Sequence, residues 1–196
     1  GPRWDLSNIY PSFESSEYRN DLERMERASI ELLRLLENGL PADETLSSRL
    51  LEATQLLEEA GDLGENLGAW AHAVYSCDTS NARALECINE LEEKTLPLQK
   101  GAVIYSSCLA QRQKEIEGIL ESPRSQADEE LARCAFFLRE EILLSKHRMP
   151  VELEDLANDL GRSGIEAWSR LQEAVSSKLA VPFGGNDPEG GKDSSI

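Results

Sequence analysis

Apolar residues recur every three or four positions through most of this chain, which is the spacing of one face of an α-helix. The first such stretch has six positions of this kind, at Tyr18, Leu22, Met25, Ser29, Leu32 and Leu36. Asn38, Gly39 and Pro41 follow, and they predict the end of the helix because Gly terminates helices and Pro cannot continue them. Strand-like alternation is nearly absent from the chain.

Two longer stretches keep the same helical spacing. The first opens at Asp43 and carries apolar residues on one face as far as Cys77 (Leu46, Leu50, Leu57, Ala60, Leu63, Leu67, Trp70 and Val74). Gly61, Gly64 and Gly68 lie near this stripe, so we predict close packing of another helix there and a candidate break at Gly61. The second stretch follows Asn81 and keeps its period as far as Ile116. Pro97 interrupts it and is expected to kink the helix without ending it.

Shorter helical stretches fill the rest of the chain. One has its apolar stripe at Leu131, Cys134, Ala135, Leu138 and Ile142, ends at Met149-Pro150, and is followed by a short helix with Leu153, Leu156 and Leu160. Gly161 then predicts a helix end. Ser163 and Glu166 have the spacing of a capping box, which predicts that the last helix begins there. The apolar stripe of that last helix is Ile165, Trp168, Leu171, Val175 and Leu179.

These patterns predict an all-α fold, an antiparallel helical bundle of about six to eight helices, with a short C-terminal strand-like segment. The strand-like segment is the apolar run Leu179-Ala180-Val181 with Phe183. A lone strand leaves its backbone donors and acceptors unpaired, so we expect its partner in another domain. The predicted organisation is a helical domain over residues 1–179, and a strand and linker over residues 180–196 that lead to a missing domain.

Charge and composition restrict the classes of partner. The chain has 37 acidic and 20 basic residues, a formal net charge of −17, and no cluster of Lys and Arg with interleaved aromatic residues. This composition predicts no nucleic-acid partner and no anionic membrane partner. There is no run of ~20 apolar residues such as a membrane span needs, and the N-terminus lacks the layout of a signal peptide. We therefore expect a cytoplasmic protein whose four cysteines are free and mostly buried.

No arrangement of residues in the chain predicts catalysis. The two histidines, His72 and His147, have no coordinating partners three or four positions away. His-Glu-x-x-His, a Gly-rich phosphate loop and Gly-x-Ser-x-Gly are all missing from the sequence. We therefore predict no catalytic residue, no metal ligand and no cofactor in this segment.

Three blocks of the sequence, residues 4–22, 67–92 and 136–179, contain recognisable patterns. The first contains Trp-x-Leu-x-x-hydrophobic-Tyr-Pro-x-Phe, formed by Trp4, Leu6, Ile9, Tyr10, Pro11 and Phe13. The last contains Gly-x-x-Ala-Trp-x-x-Leu, formed by Gly164, Ala167, Trp168 and Leu171. Together and in this order, the blocks resemble the N-terminal helical region of the oligoendopeptidase F family of zinc metallopeptidases, akin to thimet oligopeptidase.

The resemblance implies an almost all-helical, two-lobed peptidase whose internal channel admits short peptides and excludes folded proteins. In the family, the later lobe holds zinc through the two histidines of His-Glu-x-x-His and a further glutamate, and the motif's Glu activates a water. The present sequence lacks that lobe. The resemblance therefore implies a non-catalytic N-terminal lobe that helps to form the channel and limit substrate size, with zinc bound only in the full-length enzyme.

The implied partners are the catalytic domain of the same polypeptide and, in the full-length enzyme, a short peptide substrate. We predict that Trp168, Leu171, Val175 and Phe183 contact the catalytic domain, and that the isolated chain forms a homodimer. Trp168 could instead belong to the local core. The alternative function is a stand-alone helical protein–protein interaction module, which would hold a partner helix or peptide in a groove between helices.

Overall fold

The computed structural model describes residues 5–147, 149, 153, 156–157, 160–176 and 178–179. Among these residues, seven α-helices and one π-helical turn are present, and no strand is. The helices are α1 (Ser16–Leu36), α2 (Leu46–Cys77), α3 (Ala82–Gln111), α4 (Gln113–Glu121), α5 (Gln126–Arg133), α6 (Ala135–Ser145) and α7 (Ala167–Ser176), with the π-helical turn at Arg162–Glu166. The predicted all-α fold is confirmed. The strand-like segment and linker, residues 180–196, lie outside the described residues.

Helices α1, α2 and α3 form the central bundle. Contacts between α1 and α3 ascend along both helices, since Arg19 pairs with Glu90 and Glu26 pairs with Lys94, so these two helices are parallel. Helix α2 runs antiparallel to both of them. Its contacts descend along α1, from Trp70 against Tyr18 to Glu59 paired with Arg24.

One core cluster is rich in aromatic rings and lies where residues 5–15, the entry segment that precedes α1, pack against the bundle. The rings of Tyr10, Phe13, Tyr18 and Trp70 contact one another with centroids between 4.7 and 5.5 Å apart. Trp70 Nε1 donates to the Leu6 carbonyl at 3.2 Å, which satisfies the indole N–H inside the cluster. Tyr10 and Phe13 of the entry pattern are therefore core residues.

The second core cluster joins the other end of the bundle to α4, α5 and α6. Its fully buried members include Leu32, Leu50, Tyr105, Leu109, Ile116, Leu131 and Leu138. The Tyr105 hydroxyl is buried and hydrogen-bonded to the Thr54 hydroxyl at 2.7 Å. Full burial of one such apolar side chain stabilises the fold by ~1.5–3 kcal/mol, so this cluster fixes the positions of the shorter helices.

The glycines of α2 differ in how closely other helices pack against them. A Cβ at position 64 would lie 3.4 Å from the Met25 sulfur, and one at position 68 would lie 3.8 Å from Leu91 Cδ2, so the predicted close packing is confirmed at these two glycines. At Gly61, a Cβ would meet nothing within 4 Å, and α2 continues through this residue. The predicted break at Gly61 is therefore wrong.

Two predicted helices are each divided in the structure. The helix expected to reach Ile116 ends at Gln111, where Arg112 has φ −108° and ψ 17°. The stripe from Leu131 to Ile142 spans α5 and α6, which are separated by Cys134 with φ −95° and ψ 13°. At both breaks the backbone leaves the α region for a single residue. The next helix continues to bury its apolar face, so the spacing of apolar residues in the sequence does not reveal the break. Pro97 lies inside the continuous α3, as predicted.

Candidate docking surface

The C-terminal helix presents an apolar surface that the described residues do not cover. We define the α7 face as Ile165, Trp168, Leu171, Val175 and Leu179. Their exposed fractions are 78%, 70%, 52%, 55% and 63%, and no described residue of α7 is buried. Trp168 therefore does not belong to the local core. The structure brings Trp168, Leu171 and Val175 together on one side of a helix, and Phe183 lies outside the described residues.

The helical path into α7 differs from the prediction. Gly161 has φ −56° and ψ −46°, which is ordinary helical backbone, so it does not end a helix. Ser163 lies inside the π-helical turn, and its Oγ donates to the Leu160 carbonyl at 3.5 Å. A serine hydroxyl inside a helix can bond back to the preceding turn instead of capping an amide. The predicted helix start at Ser163 is therefore wrong.

An ion pair holds α7 to the bundle. Arg170 Nη1 lies 2.6 Å from Glu92 Oε1, and both side chains are largely shielded, with 28% and 23% of their surface exposed. Glu92 belongs to an acidic stretch of α3 that also includes Glu86, Glu90 and Glu93, and Arg170 lies beside this stretch. Between α7 and the bundle there is an open hollow of about 340 Å³ lined by polar residues such as His72, Thr95 and Gln99. The ion pair is therefore a polar contact of α7 with the bundle. Ile165 lines the hollow, and Trp168, Leu171 and Val175 are more than half exposed to solvent.

Helix α6 carries a second set of exposed apolar residues. Phe136, Phe137, Leu143 and Leu144 are 80%, 37%, 57% and 46% exposed. The sequence pattern predicted a core stripe on this helix, and none of these four residues belongs to it. The feature that could have identified the patch is the apolar character of α6 on more than one side, which a helix buried along a single stripe does not need.

The described residues offer no metal centre. No group of three or more His, Cys, Asp or Glu in that part of the chain could hold a metal ion. His72 and His147 are exposed; His72 lies in α2 and His147 in the turn that follows α6. Among the helices that the structure describes, none is long and apolar enough to cross a membrane.

The cysteines are unpaired in the structure. Cys87 and Cys108 are buried, Cys134 is half-buried and Cys77 is exposed, so burial was predicted correctly for two of the four. Burial raises the pKa of the Cys87 and Cys108 thiols, because the thiolate loses its hydration in an apolar site. These thiols are structural members of the two core clusters.

Comparison with known proteins gives a family match for the part of the chain that contains the α7 face. Residues 113–180 match the N-terminal domain model of the M3 peptidases, described as oligopeptidase F. This segment is oligoendopeptidase F-like. The predicted resemblance is thereby confirmed over about a third of the chain, from α4 through α7. The match supports a non-catalytic N-terminal lobe of a peptidase and suggests a metallopeptidase family. No curated protein and no solved structure matches the chain.

The matched span includes all five residues of the α7 face and excludes the segment that precedes α1. Trp168, Leu171 and Val175 fall inside residues 113–180, together with the exposed apolar residues of α6. Phe183 falls outside the span, as does the aromatic cluster at the start of the chain. The oligoendopeptidase F-like segment is therefore the part of the described structure with the most uncovered apolar side chains.

Proposed function

We propose that this chain is the N-terminal, non-catalytic lobe of a zinc-dependent oligoendopeptidase that hydrolyses short peptides. In this proposal the α7 face binds the catalytic domain of the same polypeptide, and the bundle forms part of the wall of a substrate channel that limits peptide size. Zinc and the water that it activates belong to the catalytic domain. The observation that carries the proposal is the exposed apolar stripe of α7 within the segment that matches oligopeptidase F.

The chemistry of the α7 face suits a buried interface. Removal of apolar surface from water stabilises a complex by ~25 cal/mol per Å², and large aromatic residues near the centre of an interface contribute most to affinity. Trp168 is the largest side chain of the face and lies between Ile165 and Leu171 along the helix. Arg170, which pairs with Glu92 of the bundle, does not belong to the stripe, so this contact leaves Trp168, Leu171 and Val175 accessible to a partner.

The unpaired cysteines support a reducing location. The buried thiols Cys87 and Cys108 lie in different core clusters and have no disulfide partner. Disulfides are rare in the cytosol and common in secreted domains. We therefore place the full-length enzyme in the cytoplasm.

The direct test combines this chain with a separately expressed downstream catalytic fragment. Isothermal titration calorimetry measures binding, and a series of quenched peptides of increasing length, together with one folded protein, measures cleavage. We expect binding, and we expect a stricter upper limit on substrate length when both fragments are present. A folded catalytic fragment that ignores this chain at tens of micromolar would overturn the proposal.

Variants assign the binding to the α7 face. Trp168→Ala should weaken binding by tenfold or more, which corresponds to about 1.4 kcal/mol. Ile9→Ala is the matched control, because Ile9 is also exposed but lies in the entry segment. Circular dichroism checks that both variants keep their helices. Equal loss of binding in the two variants would show that the α7 face is not the contact surface.

The same face is our proposed contact between two copies of the isolated chain. Without the catalytic domain, burial of the stripe against a second copy would remove the same side chains from water. Sedimentation equilibrium should show a monomer–dimer equilibrium that Trp168→Ala shifts towards monomer. A dimer unaffected by Trp168→Ala would place the contact elsewhere.

A further inference from the structure

A second concave surface lies between α2, α3 and the junction of α5 with α6, and it adjoins the hollow beside α7 at Gln99. It is a groove of about 660 Å³. Its lining comprises Thr54, Leu57, Glu58, Gly61, Asp62 and Glu65 of α2, Leu98, Gln99 and Ala102 of α3, and Arg133, Cys134, Phe136 and Phe137 around the junction. None of these residues belongs to the α7 face.

The floor of the groove is apolar. Leu57, Leu98 and Ala102 are half-buried there. Phe136 stands at the side of the groove with 80% of its surface exposed, the largest exposed fraction among the large apolar residues that the structure describes. A phenyl ring in this position can close over an apolar side chain that enters the groove, so the geometry suits an apolar occupant.

The length of the groove suits a helix. The lining residues of α2 extend from Thr54 to Glu65 with helical spacing, which is about three turns or ~16 Å. Gly61 lies midway along this wall, and a Cβ there would meet nothing within 4 Å, so the glycine leaves room at the centre. The described residues provide no strand edge on which an extended peptide could pair its backbone. A helix satisfies its own backbone and needs only apolar contacts.

The charges along the rim favour a positively charged occupant. Glu58, Asp62 and Glu65 recur along the exposed side of α2. The one basic residue among the lining residues is Arg133, and its guanidinium is paired with Glu130 at 2.9 Å. The α2 side of the rim is therefore negative along its length and would repel an acidic partner while attracting Lys or Arg.

We propose that this groove binds a cationic amphipathic helix of a partner protein. The helix presents apolar residues at i, i+3 or i+4 and i+7 to the floor, and its Lys or Arg side chains pair with Glu58, Asp62 and Glu65. Phe136 and the open space at Gly61 define the position of the central apolar residue. The proposal uses no residue of the α7 face, so its test is separate from the test of the catalytic-domain contact.

The test uses two synthetic probes of identical leucine spacing, a fluorescein-labelled Leu/Lys helical peptide and its Leu/Glu counterpart. Fluorescence anisotropy with the full chain should show saturable binding of the Leu/Lys peptide, at least tenfold tighter than that of the Leu/Glu peptide. Equal binding of the two peptides, or binding of neither, would overturn the proposal.

Because the whole chain is acidic, variants must distinguish the groove from general attraction. Gly61→Leu places a side chain at the centre of the groove, where a Cβ would meet nothing within 4 Å, and it should weaken binding of the Leu/Lys peptide at least tenfold. Gly118→Leu is the matched control, since Gly118 lies on α4 and also has nothing within 4 Å of its Cβ position. Phe136→Ser gives a second test, with Leu143→Ser on the same helix as its control. Unchanged binding in both Gly61→Leu and Phe136→Ser would overturn the groove as the site.

Discussion

Helices α1 and α7 both have amphipathic sequences, but their apolar stripes differ in burial. The stripe of α1 is buried, with Tyr18 and Leu32 fully inaccessible, whereas Trp168 and Leu171 on α7 are more than half exposed. Helices α2 and α3 cover the stripe of α1, and in the described part of the chain nothing comparable covers that of α7. The spacing of apolar residues thus identifies which side of a helix avoids water. It does not identify the molecule that covers that side.

The largest expected difference is between two leucines, one from each region. Leu109→Ala removes a fully buried side chain from the second core cluster and should lower the free energy of unfolding by ~2–5 kcal/mol. Leu171→Ala truncates a half-exposed residue of the α7 face and should change it by less than ~0.5 kcal/mol. Urea denaturation at a concentration where the chain is monomeric measures both. Equal losses would mean that α7 is part of the cooperative core.

The fold could be predicted from the sequence where burial enforces a single period. Leu22, Met25 and Leu36 of α1 are buried as their spacing predicted. The breaks at Arg112 and Cys134 could not be predicted, because each involves one residue and leaves the apolar side of the following helix in place. Ser163 shows the limit of local motifs, since a hydroxyl that could cap an amide bonds to a carbonyl inside a continuous helical path instead.

The candidate site was predicted in part. The apolar stripe of α7 was identified from the sequence. Its exposure depends on whether another part of the chain packs against it, and the spacing of apolar residues carries no information on tertiary contacts. The groove between α2, α3 and the junction of α5 with α6 was not identified from the sequence. It is formed by Leu57, Leu98 and Phe136 on three helices, and their proximity arises only when the bundle is assembled.

Two glycines give the next largest contrast. A Cβ at Gly101 in α3 would lie 2.8 Å from Leu32 Cδ2, so Gly101→Ala forces the buried Leu32 to move and should cost ~1–3 kcal/mol. Gly164 in the π-helical turn has nothing within 4 Å, so Gly164→Ala should change the free energy of unfolding by less than ~0.5 kcal/mol. Thermal denaturation compares the two variants. A stable Gly101→Ala protein would show that α1 and α3 can separate without penalty.

Helix caps supply a smaller contrast. The Asn81 side chain accepts from the Ala84 amide at 3.0 Å and caps α3, so Asn81→Ala should cost ~1 kcal/mol. Ser163 caps no amide in the structure, and Ser163→Ala should leave stability within ~0.5 kcal/mol of the parent. Chemical denaturation with a circular dichroism readout is sufficient. If Ser163→Ala proved as damaging as Asn81→Ala, the predicted capping box would form in solution after all.

The smallest effect concerns two ion pairs of similar geometry in the two regions. Arg19–Glu90 joins α1 to α3 at 3.0 Å, and Arg170–Glu92 joins α7 to α3 at 2.6 Å. Partly exposed pairs contribute only ~0.2–1 kcal/mol, so neither should dominate stability. The two pairs should nevertheless differ in what they stabilise. The coupling of Arg19 with Glu90 should appear in global unfolding, because both helices belong to the core, whereas that of Arg170 with Glu92 should appear only in the local opening of α7.

Double-mutant cycles with alanine at each position, followed by urea denaturation and amide hydrogen exchange, separate these effects. Arg170→Ala should accelerate exchange of the amides in Ala167–Ser176 and leave the unfolding midpoint unchanged, and high salt should reduce the difference from the parent. Arg19→Ala should lower the midpoint slightly and leave exchange in α7 unchanged. If Arg170→Ala lowered the midpoint as much as Arg19→Ala does, α7 would unfold together with the bundle. Its apolar face would then belong to the same cooperative unit as the core, although the structure leaves that face open to solvent.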